Sequence, residues 1–167
     1  MQNKTNLLGY SQKSLEVFFK DIDEPSFRAK QLLKWVHQKG ELDFGMMTDF
    51  NKTLRERLKN IAILKTPTVK SVLTSEEGTK KYLVELDSGS SVEMVRIPEK
   101  KRMTLCISSQ AGCALQCTFC ATGAQGFDQN LTSDEIIGQV WLANFYDRDE
   151  SPITNVVFMG MGEPLLN

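Results

Sequence analysis

Two changes of pattern along the 167 residues predict an α/β protein: apolar residues at helical spacing up to about Lys65, then short β-branched segments after Pro67 that lead into a strand, loop, helix, strand series. That order implies a small N-terminal helical domain over residues 1–65, an antiparallel β-rich connector over 66–102 and a βαβ unit over 103–167. Charge shifts at the same boundary. Residues 1–65 carry 12 Lys and Arg against 8 Asp and Glu, a net of +4, and residues 66–167 carry 8 against 13, a net of −5.

The first helix is expected after Ser11 or Ser14, where Leu15, Phe18 and Phe19 share a face. A second opens at Asp23-Glu24-Pro25-Ser26, carries Phe27, Leu32, Leu33 and Val36 on one side, and ends at Gly40. A third runs from Thr48 to Asn60, with Phe50, Leu54 and Leu58 under a charged outer face. Trp35 reads as a core residue. His37, the single histidine of the chain, reads as a surface residue near a helix end, because no second histidine exists to share a metal.

Strands are expected at Val69–Leu73, Lys80–Leu86, Ser91–Ile97 and Met103–Ser108, separated by the turn residues Glu76-Glu77-Gly78, Asp87-Ser88-Gly89-Ser90 and Pro98-Glu99-Lys100-Lys101. A helix then starts at Thr132, which forms a capping box with Glu135, and it carries Ile136, Ile137, Val140, Trp141 and Ala143 before fading near Asp147. Ile153–Met159 reads as a buried strand. A helix joining two strands calls for parallel pairing and for further strands beyond.

Composition excludes several classes. Apolar residues make up 41% and charged residues 25%, the mixture of a globular chain and not of a fibre or a disordered tail. Stretches such as Ile61–Leu64 and Val156–Met161 are far too short to span a bilayer, so no membrane segment is expected. Met1–Tyr10 lacks the basic end and apolar run of a secretory signal, which makes a reducing, cytoplasmic location the expectation. The basic excess of the first 65 residues is compatible with a nucleic-acid backbone as partner, but charge alone favours a solvated helix face.

All four cysteines, Cys106, Cys113, Cys117 and Cys120, fall within 15 residues of one another. In a reducing compartment such clustering points to metal or redox work and not to structural disulfides. Cys117-Thr118-Phe119-Cys120 matches half a zinc knuckle or a redox pair. Cys113, separated from Cys117 by three residues, completes neither a second knuckle nor a redox helix start. Three close thiolates suit a cubane [4Fe–4S] cluster, which they leave with one iron open to a substrate or cofactor. A second motif, Gly160-Met161-Gly162-Glu163-Pro164, follows the last predicted strand. There the α/β folds bind ligands; by itself the motif reads first as a plain Gly-Pro turn, and the cysteine loop one βα unit earlier turns the balance toward a ligand site.

The Cys-x3-Cys-x2-Cys spacing with Phe119 before the last cysteine resembles the radical S-adenosylmethionine superfamily. Cys106 to Gly123, Gln125-Gly126-Phe127, Asn130-Leu131-Thr132, Ile136 to Trp141 and Thr154 to Asn167 resemble the bacterial dual-specificity methyltransferases that modify C2 of adenine in 23S rRNA and tRNA. The resemblance extends along the whole chain and covers about half of a family member. It implies that residues 103–167 begin a partial (β/α) barrel, here truncated. It implies a [4Fe–4S] cluster on Cys113, Cys117 and Cys120, with S-adenosylmethionine bound by Phe119, Gly160, Met161, Gly162 and Glu163. It also implies an external electron donor, 23S rRNA and tRNA as partners, Glu93 as proton acceptor, and Cys106 as the cysteine that resolves a protein–RNA adduct through a transient disulfide. From the residues alone, Glu93 is a strand carboxylate and Cys106 a buried thiol. The family carries the methyl group on a further cysteine near its C-terminus, so the expectation is a fragment that lacks the other half of the barrel and cannot complete methyl transfer alone. A non-catalytic RNA-binding module and a zinc-stapled domain are the alternatives.

Overall fold

The computed structural model describes residues 4–115, 117–146 and 151–167, and these form two units, Met1–Thr66 and Pro67–Asn167. In the first unit a two-residue strand β1 (Thr5–Asn6) precedes helices α1 (Gln12–Asp21), α2 (Arg28–His37) and α3 (Lys52–Ile61). Strand β2 (Ala62–Ile63) then pairs parallel with β1. The Asn6 carboxamide fastens this closure, donating to the Lys65 carbonyl at 2.9 Å and accepting from the Lys65 N–H at 3.1 Å.

Ser11 caps α1, its hydroxyl accepting from the Ser14 N–H at 3.1 Å. Asn51 caps α3 by accepting from the Leu54 N–H at 2.8 Å, so that helix starts after Asn51 and not at Thr48. Thr48 to Phe50 instead turn out of a 3₁₀ segment at Phe44–Met46, with the Phe50 N–H bonded to the Met47 carbonyl. Leu15, Phe19, Leu32, Val36, Phe50, Leu54 and Leu58 meet in the core of this unit. Trp35 does not join them. It is half-buried, its indole N–H donates to the Asp49 carboxylate at 3.1 Å, and the Lys39 ammonium lies 3.2 Å from the ring centroid. An indole needs a partner for its N–H, and the partly wet edge of the unit supplies one. His37 is exposed as the last residue of α2, and Gly40 follows with a φ of +64°.

The second unit is built on a five-stranded sheet of β3 (Thr68–Thr74), β4 (Lys80–Glu85), β5 (Ser91–Glu99), β6 (Arg102–Cys106) and, beyond further elements, β9 (Asn155–Val157), in the order β3-β4-β5-β6-β9. The first four strands form an antiparallel meander, and β6 pairs parallel with β9, Leu105 opposite Val156. Strands of the predicted connector and of the predicted βαβ unit thus share one mixed sheet. Between β6 and β9 come β7 (Gln110–Gly112), α4 (Ala121–Ala124), β8 (Phe127–Asn130) and α5 (Ser133–Phe145), with β7 and β8 antiparallel.

Helix α5 opens with the expected capping box, Thr132 with Glu135. Asp147, where the sequence places its fading end, lies outside the described residues. Tyr82, Val84, Val92, Met94 and Leu105 form one buried sheet face, clustered with Leu142 and Ala143 of α5. The predicted buried strand Ile153–Met159 is shorter and more exposed than expected. Only Asn155–Val157 is laddered, and Val156 (44%), Phe158 (47%) and Met159 (80%) are open. The cause is position, since among the described residues β9 is an edge strand bonded to β6 on one side.

Candidate active site

Strand β6 ends at Cys106, two residues sooner than its composition suggests, because Ile107 to Gln110 turn to bond with the segment after β9. The Ile107 N–H donates to Val157, Gly160 returns a bond to Ile107, and the Ser109 N–H reaches the Met161 carbonyl at 2.8 Å. Ser108 is fully buried, and its hydroxyl donates to the Glu93 carbonyl at 2.6 Å while accepting from the Met161 N–H at 2.8 Å. Gln139 of α5, also fully buried, closes the arrangement with its carboxamide. It accepts from the Ser108 N–H and donates to the Ser108 carbonyl, both at 2.9 Å.

The glycines of the second motif let these backbones approach. A Cβ on Gly160 would stand 2.7 Å from the Ile107 carbonyl oxygen, and one on Gly162 would stand 2.4 Å from the Gln110 Cβ. Gly162 also holds a φ of +93°, open to glycine and strained for other residues. Glu163 follows, half-buried, its carboxylate accepting from the Leu165 N–H at 3.1 Å. Gly160, Met161, Gly162 and Glu163 therefore line up beside the residues that lead into the cysteine loop, across the carboxyl ends of the parallel strands β6 and β9.

The loop from Cys113 to Cys120 is carried on the β7–β8 ladder, which the Cys113 N–H extends by donating to the Gly126 carbonyl at 2.9 Å. Cys113, Cys117 and Cys120 are half-buried free thiols, and Cys106 is a fourth. Cys117 lines a pocket with Thr118, Gly123, Ala124 and Gly126. The backbone N–H dipoles of Gly123 and then Thr122 hold the Cys120 thiol below its ordinary range, favouring thiolate. Phe119 is 91% exposed. Three thiols on one loop are the donor set an iron–sulfur cluster takes, and the depressed Cys120 suits it. Among the described residues, however, no three Cys, His, Asp or Glu side chains converge closely enough to hold a single metal ion.

Glu93 and Cys106 lie on the sheet face opposite the buried cluster, since Cys106 stands across from Val95 and Glu93 is two residues along the same strand. Glu93 is half-exposed and pairs with Lys81 at 2.9 Å, a contact its strand character alone explains. Burial pushes the Cys106 thiol up, and a hydrogen bond with the Met159 backbone opposes this. Ser108, Gln110 and Gln139 belong to neither motif, although a Ser-Ser-Gln run at the carboxyl end of an apolar strand is itself a signal of polar work there.

No helix among the described residues is long and apolar enough to cross a membrane. Residues 5–64 match the family described as the ribosomal RNA large subunit methyltransferase N-terminal domain. The chain is 54% identical to the dual-specificity RNA methyltransferase RlmN of Marinobacter nauticus over 98% of its own length and 46% of that protein's. Against the protein of the same name from Pseudomonas fluorescens the identity is 55%, over 98% and 44%. The chain thus spans about half the length of the curated relatives it matches. A radical SAM methyltransferase from Sphaerobacter thermophilus superposes with a TM-score of 0.88 at 35% identity, over 98% of this chain and 48% of that one. From first strand to last glycine motif, then, the chain resembles a dual-specificity RNA methyltransferase in sequence and a radical SAM methyltransferase in fold, and its helical unit matches the ribosomal RNA large subunit methyltransferase N-terminal domain.

Proposed function

We propose that this chain supplies the RNA-binding helical domain (residues 1–65), the connector (66–102) and the first βαβ unit of the partial barrel (103–167) of a radical S-adenosylmethionine methyltransferase acting on C2 of adenine in 23S rRNA and tRNA. The observation that carries this reading is the juxtaposition of two motifs. The Gly-Met-Gly-Glu segment is bonded to Ile107, Ser108, Ser109 and Gln110, where parallel strands end, and the start of the three-thiol loop is bonded to Gln110 through the Ala114 N–H.

Cys113, Cys117 and Cys120 would hold a [4Fe–4S] cluster, and Phe119, Gly160, Met161, Gly162 and Glu163 would hold S-adenosylmethionine beside it. When bound and reduced by an external donor, that pair supplies a carbon-centred radical, which adenine C2 requires because it carries no acidic proton. The backbone of Gly160 to Gly162 can approach a ligand closely, and the Glu163 carboxylate is an acceptor for an amino group. Glu93 would accept a proton, its carboxylate oriented by the Lys81 ammonium at 2.9 Å. Cys106, held protonated by burial on the same face, would serve as the resolving thiol.

Anaerobic reconstitution with iron and sulfide tests the proposal. The wild type should bind about four irons per chain and absorb broadly near ~400 nm, and Cys117→Ala should lose both. Binding of one zinc without colour, or iron retained in full by Cys117→Ala, overturns it.

A further inference from the structure

We infer that Gln110 is a positioning residue that fixes the Cys113–Cys120 loop and the Gly160–Glu163 segment to one common atom, so that thiols and glycine motif are presented as a single site. This rests on reading those two segments as the ligands of cluster and cofactor. Gln110 is the first residue of β7 and is 1% exposed. Its carboxamide oxygen accepts from the Glu163 N–H at 3.0 Å and from the Ala114 N–H at 3.4 Å. Ala114 directly follows the first cysteine of the loop, and Glu163 is the charged residue of the glycine motif. The carboxamide nitrogen donates to the Asn130 Oδ1 at 2.9 Å, anchoring the side chain to β8. The Gln110 backbone N–H adds a bond to the Met161 carbonyl at 3.2 Å.

The chemistry of the side chain is used almost in full. A carboxamide oxygen has two acceptor sites, and both are filled, one by each segment. Gly162 has no side chain where a Cβ would strike Gln110, so the glycine motif lies against this residue and would be displaced by any bulk on either. No other described side chain bonds both segments: Ser108 reaches Met161 without touching the loop, and the Glu163 carboxylate bonds only within its own segment. Replacement by an isosteric apolar residue would keep the volume and orphan three partners, the Glu163 N–H, the Ala114 N–H and the Asn130 amide oxygen. Glutamate would keep the acceptor, and the Asn130 amide can turn to donate to it.

The test compares the reduced 167-residue chain with Gln110→Met and Gln110→Glu by amide hydrogen exchange. Gln110→Met should speed exchange at Ala114 and Glu163 by about tenfold, leave the amides of β4 and β5 unchanged, and be rescued at both sites by Gln110→Glu. After anaerobic reconstitution, Gln110→Met should keep its iron while S-adenosylmethionine perturbs the spectrum of the reduced cluster only weakly, with Gln110→Glu restoring the wild-type response. Unchanged exchange at both amides, an equal rise throughout the sheet, or no rescue by glutamate overturns the inference. If the wild type itself takes up no iron, the methyltransferase reading fails, and the exchange comparison still decides whether Gln110 ties the two segments together.

Discussion

Gly162 and Gly126 both sit at positive φ, +93° and +80°, yet their surroundings differ. A Cβ on Gly126 meets nothing within 4 Å, whereas on Gly162 it lies 2.4 Å from the Gln110 Cβ and 2.6 Å from its nitrogen. Gly126→Ala should therefore cost only the backbone strain, about 1 kcal/mol, and Gly162→Ala that strain plus overpacking, about 3 kcal/mol in all. Urea denaturation of the two variants checks the difference, and equal midpoints would contradict it. The cysteines separate by environment too. Cys120 is held low by the Gly123 and Thr122 N–H dipoles, and Cys106 is held high by burial. Thiolate is the reactive form, so in metal-free chain the rate of alkylation at Cys120 should rise at lower pH than at Cys106. Mass spectrometry of iodoacetamide-treated protein across a pH series would show the two profiles, and coincident profiles would refute the assignment.

Helix α5 shows which elements declare themselves and which bonds do not. Its start was legible because Thr132 and Glu135 are a local signal, three residues apart. The four meander strands were legible for the same reason, alternation and turn residues being short-range patterns. Gln139, by contrast, looks like a solvent residue in the sequence and is buried because Ser108, 31 positions away, presents an N–H and a carbonyl that only a carboxamide can satisfy together. The β7–β8 ladder escaped notice because Gln110-Ala111-Gly112 has no strand character of its own and is held by its partner. The exposure of β9 escaped because composition reports apolarity and says nothing of edge position. The energetic order follows. Thr132→Ala loses one cap, about 1 kcal/mol, whereas Gln139→Leu leaves two buried backbone groups unpaired at about 1–3 kcal/mol each. Equilibrium unfolding should rank Gln139→Leu as clearly the more destabilised, and the reverse ranking would mean that water replaces the carboxamide.

The two edges of the five-stranded sheet are unequally protected. At β3 the strand carries a bulge between Val69 and Ser71, and Lys70 reaches across to Glu85 at 2.5 Å. Both features discourage another strand from adding there. At β9 the strand is Asn155-Val156-Val157, uncharged, with Val156, Phe158 and Met159 exposed in sequence. An unpaired strand edge beside exposed apolar side chains is a template for pairing. Association of this chain with itself should therefore run through β9, and a charge placed there should suppress it. Val156→Lys is expected to shift sedimentation-velocity profiles toward monomer, while Lys70→Val, which strips the guard from the other edge, shifts them toward larger species. The lost Lys70–Glu85 pair is half-exposed and worth at most about 1 kcal/mol, so unfolding of the sheet would not account for the second result. If Val156→Lys leaves self-association unchanged, the β9 edge is closed in solution by some other part of the molecule, and the parallel pairing that began at β6 is already satisfied.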